Sequence, residues 1–252
     1  MNRFNVIVPV YNAERWIGRC LESILSQDYP YYDVLVIDDC SSDYTWEVIK
    51  SYKVAAGQNE SRHGALYNIA WGIDHWGKDI IVTIDGDDWL ADNTVFSHLD
   101  SVYNRNVWMT YGSFVPISGK YKNTCQAFDK IKTPCEQGWL VDVKTTPAEY
   151  RRSGLWVTSH LRTFRKQLWD LIEDNDLRDT EGEYYKVAWD LAFMYPMIEM
   201  ASERVRFIEK IMYIYNDLNP LCDGTINTDL QVAVGREIQN KRQYDRINGD
   251  IF

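Results

Sequence analysis

The chain has 252 residues, of which 45% are hydrophobic and 25% are charged, which is the balance of an ordinary globular protein. This length suits one large α/β domain or two small ones. The formal net charge of −10 argues against a nucleic-acid partner, because such a protein needs a basic surface to bind phosphates.

Cysteine usage and hydropathy predict a cytoplasmic protein. The five cysteines are an odd number and contain no Cys-x-x-Cys pair, which disfavours a disulfide framework and favours a reducing compartment. No signal peptide is expected before the first predicted strand, and no apolar run approaches the roughly 20 residues of a membrane span. Peripheral contact with a membrane surface stays open.

The first half of the chain alternates predicted strands with predicted helices. The strands are runs of apolar, often β-branched residues at 4–10, 33–37, 80–84 and 107–111. The helices place apolar residues on one face at 13–25, 46–49, 65–77 and 95–102. Residues 57–64 are predicted to be a loop or a short strand. Two strand–helix units within about fifty residues predict a parallel sheet with right-handed crossovers.

The second half of the chain shows weaker patterns. The predicted elements are a loop region with short strands at 116–138, helices at 159–172 and 188–201, and short strands at 205–208 and 211–215. The first of these helices is inferred from Leu161, Phe164 and Leu168, which would share one helical face. The last thirty residues or so are polar and are predicted to form a partly ordered tail or lid.

The apolar run at residues 80–84 ends abruptly in the carboxylates Asp85, Asp87 and Asp88, with Gly86 opening a turn. Such a run is typical of a buried strand, so the carboxylates are expected past its carboxyl end, where open α/β sheets bind ligands. Clustered carboxylates repel one another unless a cation lies among them, and oxygen ligands suit Mg²⁺ or Mn²⁺ with substrate phosphates. The alternative is a loop of solvated acids that caps the next helix.

A second acidic pair, Asp38 and Asp39, follows the strand at 33–37. Both acidic groups are expected at one edge of the sheet, because the carboxyl ends of parallel strands lie together there. A nucleotide is the natural ligand, with Asp39 bound to its base, Asp85 to its ribose, and a cation on Asp87 bound to its diphosphate. Helix capping is the alternative for Asp38.

Four segments of the chain resemble, in order and spacing, the successive motifs of family 2 glycosyltransferases. They are VIVPVYN at 6–12, SILSQ at 23–27, VIDDCSSD at 36–43 and DGDDWL at 85–90. The resemblance implies a GT-A fold, which is an α/β architecture with a mostly parallel, Rossmann-like central sheet flanked by helices and a small acceptor-side subregion. Within one domain, residues 1–115 would bind the donor, 116–218 would bind the acceptor and supply the base, and 219–252 would form the tail or lid.

The resemblance also implies an activity and its ligands. The expected enzyme is an inverting, metal-dependent glycosyltransferase with Mn²⁺ or Mg²⁺ as cofactor. Its donor would be a nucleotide-diphosphate sugar, with a UDP-sugar favoured, and its acceptor a hydroxyl group on a glycan, a lipid-linked sugar or a protein glycan.

The donor site implied by the resemblance combines the acids with other residues of the same crevice. Asp39 would contact the base, and the pair Asp85 and Asp87 would serve the ribose and the metal. The expected donor-site residues are Pro9, Tyr11, Asn12, Asp39, Arg62, Asn68, Asp85, Gly86 and Asp87.

The general base is expected at Asp190, early in the apolar helix at 188–201. A carboxylate there could deprotonate the acceptor hydroxyl while a metal offsets the charge on the leaving diphosphate. The alternative is that Asp190 pairs with a nearby arginine. Glu181 and Glu183, in the loop before this helix, are fallback bases.

Three more residues are candidates for acceptor or phosphate contacts. His160 and Arg162 are expected at the N-terminus of the predicted helix at 159–172, which would favour anionic oxygens; capping and surface charge are the alternative. Relatives often carry a histidine shortly after the Asn-Pro that ends the core, whereas this chain has Cys-Asp-Gly at 222–224. Asp223 or water would then complete the metal site.

Rival functions are weaker. A haloacid-dehalogenase-type phosphatase would carry its Asp-x-Asp on the first strand, not some eighty residues into the chain, and a dinucleotide oxidoreductase would show Gly-x-Gly-x-x-Gly after that strand. A non-catalytic nucleotide-sugar or glycan-binding module of the same fold is the main alternative, because fold does not fix function.

Overall fold

One mixed eight-stranded sheet organises the computed structural model, which describes residues 1–103, 106–119, 125–134, 140–143, 145–221 and 228–251. The strands are β1 (Phe4–Val10), β2 (Tyr32–Asp38), β3 (Ala55–Gln58), β4 (Ile80–Thr83), β5 (Trp89–Leu90), β6 (Met109–Pro116), β7 (Ile131–Pro134), β8 (Leu140–Val143), β9 (Ser159–Arg165) and β10 (Val205–Tyr215). All except β7 and β8 belong to the large sheet; these two pair with each other as an antiparallel hairpin.

The strand order across the large sheet is β3-β2-β1-β4-β9-β6-β10-β5. The first four strands are parallel, which confirms the parallel sheet predicted for the amino-terminal strand–helix units. The other half is mixed, because β9 runs antiparallel between β4 and β6, and β5 pairs antiparallel with β10 at the edge. The carboxyl ends of β1, β2 and β4 therefore share one edge of the sheet.

Helices cover both faces of the sheet. They are α1 (Ile17–Leu25), α2 (Thr45–Lys50), α3 (Ala65–Trp76), α4 (Val95–Tyr103), α5 (Pro147–Tyr150), α6 (Lys166–Trp169), α7 (Trp189–Ala201) and α8 (Thr228–Asn240). Successive residues of a strand point to opposite faces, so β1 divides its apolar residues between two cores. Ile7 packs in the core that contains α3 and α7, and Val6 and Val8 pack in the core that contains α1 and α4.

The helix predicted over 159–172 is wrong: residues 159–165 form β9, and only Lys166–Trp169 is helical. The helical spacing of Leu161 and Phe164 misled the prediction, since these residues pack in different cores on opposite faces of the sheet. A strand covered on both faces buries its polar residues as well, so it shows no alternating pattern that would reveal it. His160 and Arg162 consequently lie inside a buried strand and not at a helix N-terminus.

The two short strands predicted at 205–208 and 211–215 are one strand, β10, whose register shifts between Ile208 and Tyr213. Such irregularities leave the strand continuous while changing which residues oppose its partner.

Residues 228–251 belong to the segment for which a tail or lid is predicted. This segment contains α8 and then an extended stretch that packs against α7. The Tyr244 N–H donates to Glu199 Oε2 at 3.0 Å, and the Ile247 N–H donates to the Met200 carbonyl at 3.1 Å. Residues 222–227 lie outside the described part of the chain.

Among the described residues, no helix has both the length and the apolar character that crossing a membrane requires.

Candidate functional site

The two acidic turns meet at the carboxyl end of β1. The Asp39 N–H donates to the Val10 carbonyl at 2.8 Å, and the Gly86 N–H donates to the Pro9 carbonyl at 3.1 Å. A Cβ added to Gly86 would lie 2.5 Å from the Val10 Cβ, so only glycine lets this turn approach β1 so closely. The edge of β1 therefore fixes the turn after β2 and the turn after β4 side by side.

Asp38 and Asp39 organise the loops that follow β2. Asp38 is fully buried and accepts hydrogen bonds from the N–H and hydroxyl of Ser41 and from Gln58 Nε2. These bonds hold the loop and do not cap a helix. The acid that accepts from the first turn of α2 is Asp43, whose Oδ1 lies 3.0 Å from the Thr45 nitrogen.

Asp39 fixes the segment that leads into α3. Its Oδ1 accepts from Asn59 Nδ2 and from the His63 N–H, each at 2.9 Å, and its Oδ2 accepts from the Gly64 N–H at 2.8 Å. Burial raises the pKa of the Asp39 carboxyl, but the hydrogen bonds from His63, Asn68, Gly64 and Asn59 outweigh it and leave the pKa lowered. Asp39 is thus a charged, 3% exposed carboxylate at this edge.

The other predicted donor-site residues divide into supporting and exposed groups. Asn68 is fully buried and bonds Asn59 and the Gly64 carbonyl, so it supports the loop held by Asp39. Asn12 adopts a left-handed backbone and accepts from the Ser42 N–H at 2.8 Å.

Tyr11 and Arg62 form the exposed part of this edge. The Arg62 guanidinium lies 4.0 Å from the centre of the Tyr11 ring, a distance typical of a cation–π contact. Arg62 is exposed and Tyr11 is partly buried, so this pair presents a flat cationic and aromatic surface to solvent.

A cluster of possible metal ligands lies past the end of β4. One ligand atom each from Asp85, Asp88 and His160 lies within 4.8 Å of the others. Asp88 Oδ2 and His160 Nδ1 are buried atoms without a hydrogen-bond partner, which is unusual for polar atoms in a folded protein. Two carboxylates and an imidazole form a donor set suited to a divalent transition-metal ion such as Mn²⁺. The residues present therefore fit a divalent cation.

Burial and neighbouring charges set the protonation preferences of this cluster. Burial, followed by the charges of Asp87 and Asp85, raises the pKa of Asp88 well above its usual range. Burial, followed by the charge of Arg162, lowers the pKa of His160 well below its usual range, so the imidazole is neutral and able to bind a metal. A cation at this position would relieve the repulsion among the carboxylates.

β10 and the residues that follow it contact the cluster. His160 stacks on Tyr213 with ring centres 4.5 Å apart, and the Tyr213 hydroxyl accepts from the Asp85 N–H at 3.1 Å. The Asn216 N–H donates to Asp88 Oδ1 at 2.7 Å. Asp87, the predicted metal ligand, accepts from Asn219 Nδ2 at 2.7 Å.

Asp190 lies in the first turn of α7 and pairs with Arg162 of β9. Arg162 Nη2 is 2.8 Å from Asp190 Oδ2, and the Asp190 side chain is 18% exposed whereas that of Arg162 is 4% exposed. The alternative of an arginine partner for Asp190 is therefore observed. It does not exclude a catalytic role, because Asp190 stays accessible and lies one side chain from His160, whose Nε2 is 3.4 Å from the same Arg162 nitrogen.

The remaining predicted residues contribute less to this geometry. Glu181 and Glu183 are exposed, and their N–H groups both donate to Asp179 Oδ1 in a turn before α7. Asp223 lies outside the described residues.

Sequence reasoning missed several parts of the site. Tyr213, Asn216 and Asn219 were not singled out as site residues, and Asp88 was not assigned to the metal. The signal was present, since a strand ending in Tyr-Ile-Tyr-Asn at 213–216 follows the same rule as β4: polar residues just past a buried strand lie at its carboxyl end.

Sequence comparison relates this chain to known transferases. Residues 5–127 match the family described as glycosyl transferase family 2. Poly(ribitol-phosphate) beta-N-acetylglucosaminyltransferase TarS of Staphylococcus aureus is 32% identical over 104 residues, which cover 38% of this chain and 18% of TarS. Glycosyltransferase GlyA of Streptococcus pneumoniae is 29% identical over 112 residues, which cover 42% of this chain and 15% of GlyA. The matched segment thus spans less than a fifth of either relative.

Solved structures extend the likeness to nearly the whole chain. Staphylococcus aureus TarS 1-349 in complex with UDP-GlcNAc gives a TM-score of 0.69 at 19% identity and covers 94% of this chain and 65% of that one. Mannosyltransferase PcManGT from Pyrobaculum calidifontis, in complex with GDP-Man and Mn²⁺, gives 0.63 at 16% identity and covers 96% and 66%. These neighbours confirm the predicted GT-A fold.

Proposed function

Because the chain belongs to glycosyl transferase family 2 and has the GT-A fold, we propose that it moves a sugar from a nucleotide-diphosphate donor to a hydroxyl acceptor, with inversion at the anomeric carbon. The observation that carries this proposal is the meeting of Asp39, the Asp85–Asp88 turn and Asp190 around one edge of the sheet. A UDP-sugar is the favoured donor, since the TarS neighbour was solved with UDP-GlcNAc.

The nucleotide would lie across the carboxyl ends of β1 and β2. Tyr11 and Arg62 offer an exposed surface for a base or a phosphate, and Asp39 holds the adjacent loop in place. We assign the ribose and diphosphate to the turn at Asp85 and Asp87, where Gly86 brings the backbone closest to β1.

We propose that Asp85, Asp88 and His160 hold a divalent cation, with Asp87 beside them in the donor site. This proposal puts Asp88 in the place expected for Asp87 and His160 in the place expected for Asp223 or water. It is supported by the unpartnered Asp88 Oδ2 and His160 Nδ1. When bound, such a cation offsets the negative charge that develops on the leaving diphosphate. The neutral His160 imidazole could bind such a cation, and the cation would reduce the repulsion between Asp88 and its neighbours Asp85 and Asp87.

We propose that Asp190 is the general base. Its carboxylate would accept the proton of the acceptor hydroxyl as the oxygen attacks the anomeric carbon from the face opposite the diphosphate. Oδ2 is held by Arg162, and Oδ1 accepts only from the neighbouring Leu191 N–H among the contacts of the described residues. The acceptor would be a hydroxyl of a glycan or a related polyol, and residues 116–218 would bind it.

A thermal-shift and hydrolysis assay tests the proposal. The purified protein is heated with UDP-GlcNAc, UDP-glucose or GDP-mannose, with and without Mn²⁺, and slow hydrolysis of the same compounds is measured. We expect a shift that needs Mn²⁺, and its loss in Asp88→Asn. Asp190→Asn should keep the shift and lose hydrolysis by roughly 100-fold or more.

Asp170→Asn is the matched control, because Asp170 is a half-exposed acid that pairs with Lys166 just past α6, at the opposite end of β9 from His160. Its shift and its hydrolysis should equal those of the wild-type protein. Binding of a nucleotide sugar with no hydrolysis in any variant or in the wild type would favour the non-catalytic binding module instead.

A further inference from the structure

Arg162 occupies a position that links the proposed cation site to the proposed base. It lies in β9 directly opposite Thr83 of β4, and only 3% of the residue is exposed. Burial alone lowers the pKa of an arginine, but the nearby carboxylates of Asp190 and Asp85 outweigh it and raise the pKa of Arg162. A permanent positive charge is therefore enclosed between the two functional groups.

One nitrogen of Arg162 makes both links. Nη2 donates to Asp190 Oδ2 at 2.8 Å and lies 3.4 Å from His160 Nε2. The opposite nitrogen of His160, Nδ1, has no partner and belongs to the residue that joins Asp85 and Asp88 in the cluster. A displacement of the guanidinium would therefore change its distance to both His160 and Asp190.

Arg162 is held by few other groups. Its Nε and Nη1 are buried and have no hydrogen-bond partner within the described ranges, so Asp190 is the carboxylate that neutralises it by direct contact. The guanidinium also lies 5.4 Å from the centre of the Trp189 ring, next to Asp190 in the chain. Turning Asp190 towards solvent would leave an unpaired charge in the interior, which proteins avoid strongly. The pair accordingly restricts Asp190 to one orientation.

Building on the proposed function, we propose that Arg162 is a positioning residue that fixes Asp190 for proton transfer and sets the affinity of the neighbouring cluster for its divalent cation. The guanidinium and the cation are like charges that would both lie near Asp85, so they repel each other. Loss of the guanidinium charge should therefore tighten cation binding while it slows turnover. A residue with only a packing role would not change the two quantities in opposite directions.

Four variants of the full chain test this inference: Arg162→Gln, Arg162→Lys, Asp190→Asn and the double variant. Mn²⁺ affinity is measured by electron paramagnetic resonance of the free ion, and hydrolysis is measured with the three nucleotide sugars named above. For Arg162→Gln we expect about tenfold tighter Mn²⁺ binding and about 100-fold slower hydrolysis, with the donor KM nearly unchanged. Arg162→Lys keeps the charge, so Mn²⁺ affinity should stay within about twofold while hydrolysis still falls.

The double variant separates positioning from a direct catalytic role. If Arg162 acts through Asp190, hydrolysis by Arg162→Gln with Asp190→Asn should be no slower than that by Asp190→Asn alone. Arg165→Gln is the matched control, since Arg165 lies at the other end of β9, where Nε bonds the Val107 carbonyl at 3.0 Å. It should leave Mn²⁺ affinity and hydrolysis unchanged.

Two results would overturn the inference, and they are distinguishable from failure of the proposed function. In the first, wild-type protein binds Mn²⁺ and hydrolyses a donor, but Arg162→Gln leaves Mn²⁺ affinity unaltered. In the second, the losses in the double variant multiply. A wild-type protein that binds neither Mn²⁺ nor any of the three donors would instead reject the proposed function, and this inference with it. Circular dichroism of Arg162→Gln checks that this variant is folded, and Arg162→Lys provides a second test if it is not.

Discussion

Gly86→Ala offers a direct test of how the acidic turn is positioned. The added methyl group would lie 2.5 Å from the Val10 Cβ, 2.6 Å from a Val10 methyl group and 3.1 Å from the Pro9 carbonyl oxygen. Real Cβ atoms do not approach so closely, and the nearest atom is next to backbone at the end of a buried strand. The turn must therefore move away from β1 by close to an ångström or the strand end must shift.

The cost of that movement can be estimated. Overpacking of a well-packed interior typically costs about 1–3 kcal/mol, and for a chain of this size 1 kcal/mol lowers Tm by about 2–4 °C. Displacement of the turn would also weaken the Gly86 N–H bond to Pro9, which is 3.1 Å long in the native chain. We expect Tm to fall by roughly 3–10 °C and the Mn²⁺-dependent shift by UDP-GlcNAc to disappear.

Gly57→Ala is the matched control, because Gly57 lies in β3 and a Cβ added there meets no atom within 4 Å. Differential scanning fluorimetry and calorimetry of both variants give the comparison. The control should stay within about 0.5 kcal/mol of the wild type. Equal Tm values and equal ligand shifts for Gly86→Ala and Gly57→Ala would refute the close approach of the turn to β1.

Three further predictions concern residues around the site. Asp39→Asn should cost about 1–3 kcal/mol at pH 7, because it weakens the bonds from the His63 and Gly64 N–H groups. Since the folded-state pKa of Asp39 is lowered, its contribution is present above about pH 4 and is lost as pH falls below that value; urea titrations should show a smaller acid loss in the variant than in the wild type. Glu199→Ala should cost about 3–5 kcal/mol by calorimetry, because it leaves the 2% exposed Arg151 without its partner at 2.8 Å; a loss below 1 kcal/mol would contradict the buried pair. Tyr213→Phe should keep the stacking on His160 but remove the hydrogen bond from the Asp85 N–H to the hydroxyl, which should cost about 1–3 kcal/mol in a chemical denaturation experiment and weaken Mn²⁺ binding; unchanged Mn²⁺ affinity would show that the hydroxyl does not orient Asp85.

The acidic edge could be predicted from sequence because its signals are local. A buried strand followed at once by carboxylates, as at Asp38 and Asp85, places the acids at a defined end of the sheet once the strand is known to be parallel. Gly86 also indicates this position, because a turn whose backbone lies so close to a neighbouring strand needs a residue without a Cβ.

The other half of the cluster could not be predicted in this way. His160 reaches Asp85 and Asp88 only because β9 inserts antiparallel between β4 and β6, and this pairing joins residues far apart in the chain. Because β9 is buried on both faces, it lacks the alternation of polar and apolar residues that identifies a strand. The spacing of Leu161 and Phe164 matches a helix by chance and so predicts one. A histidine and an arginine two residues apart in a strand point to the same face, which a helical assignment hides.

The packed end of the chain affects the position of Asp190, the proposed base, as well as stability. α7 carries Asp190 in its first turn and Glu199 near its last, so one helix, which also contains Pro196, joins the two acids. Glu199 is fixed by Arg151 and by the Tyr244 N–H, while Asp190 is fixed by Arg162. The helix is therefore held by an ion pair at each end, of which Arg151–Glu199 is fully buried, and the segment after α8 secures the end remote from Asp190. A loosened Glu199 contact should thus allow α7, and with it Asp190, to move without any change in the residues proposed to bind the nucleotide.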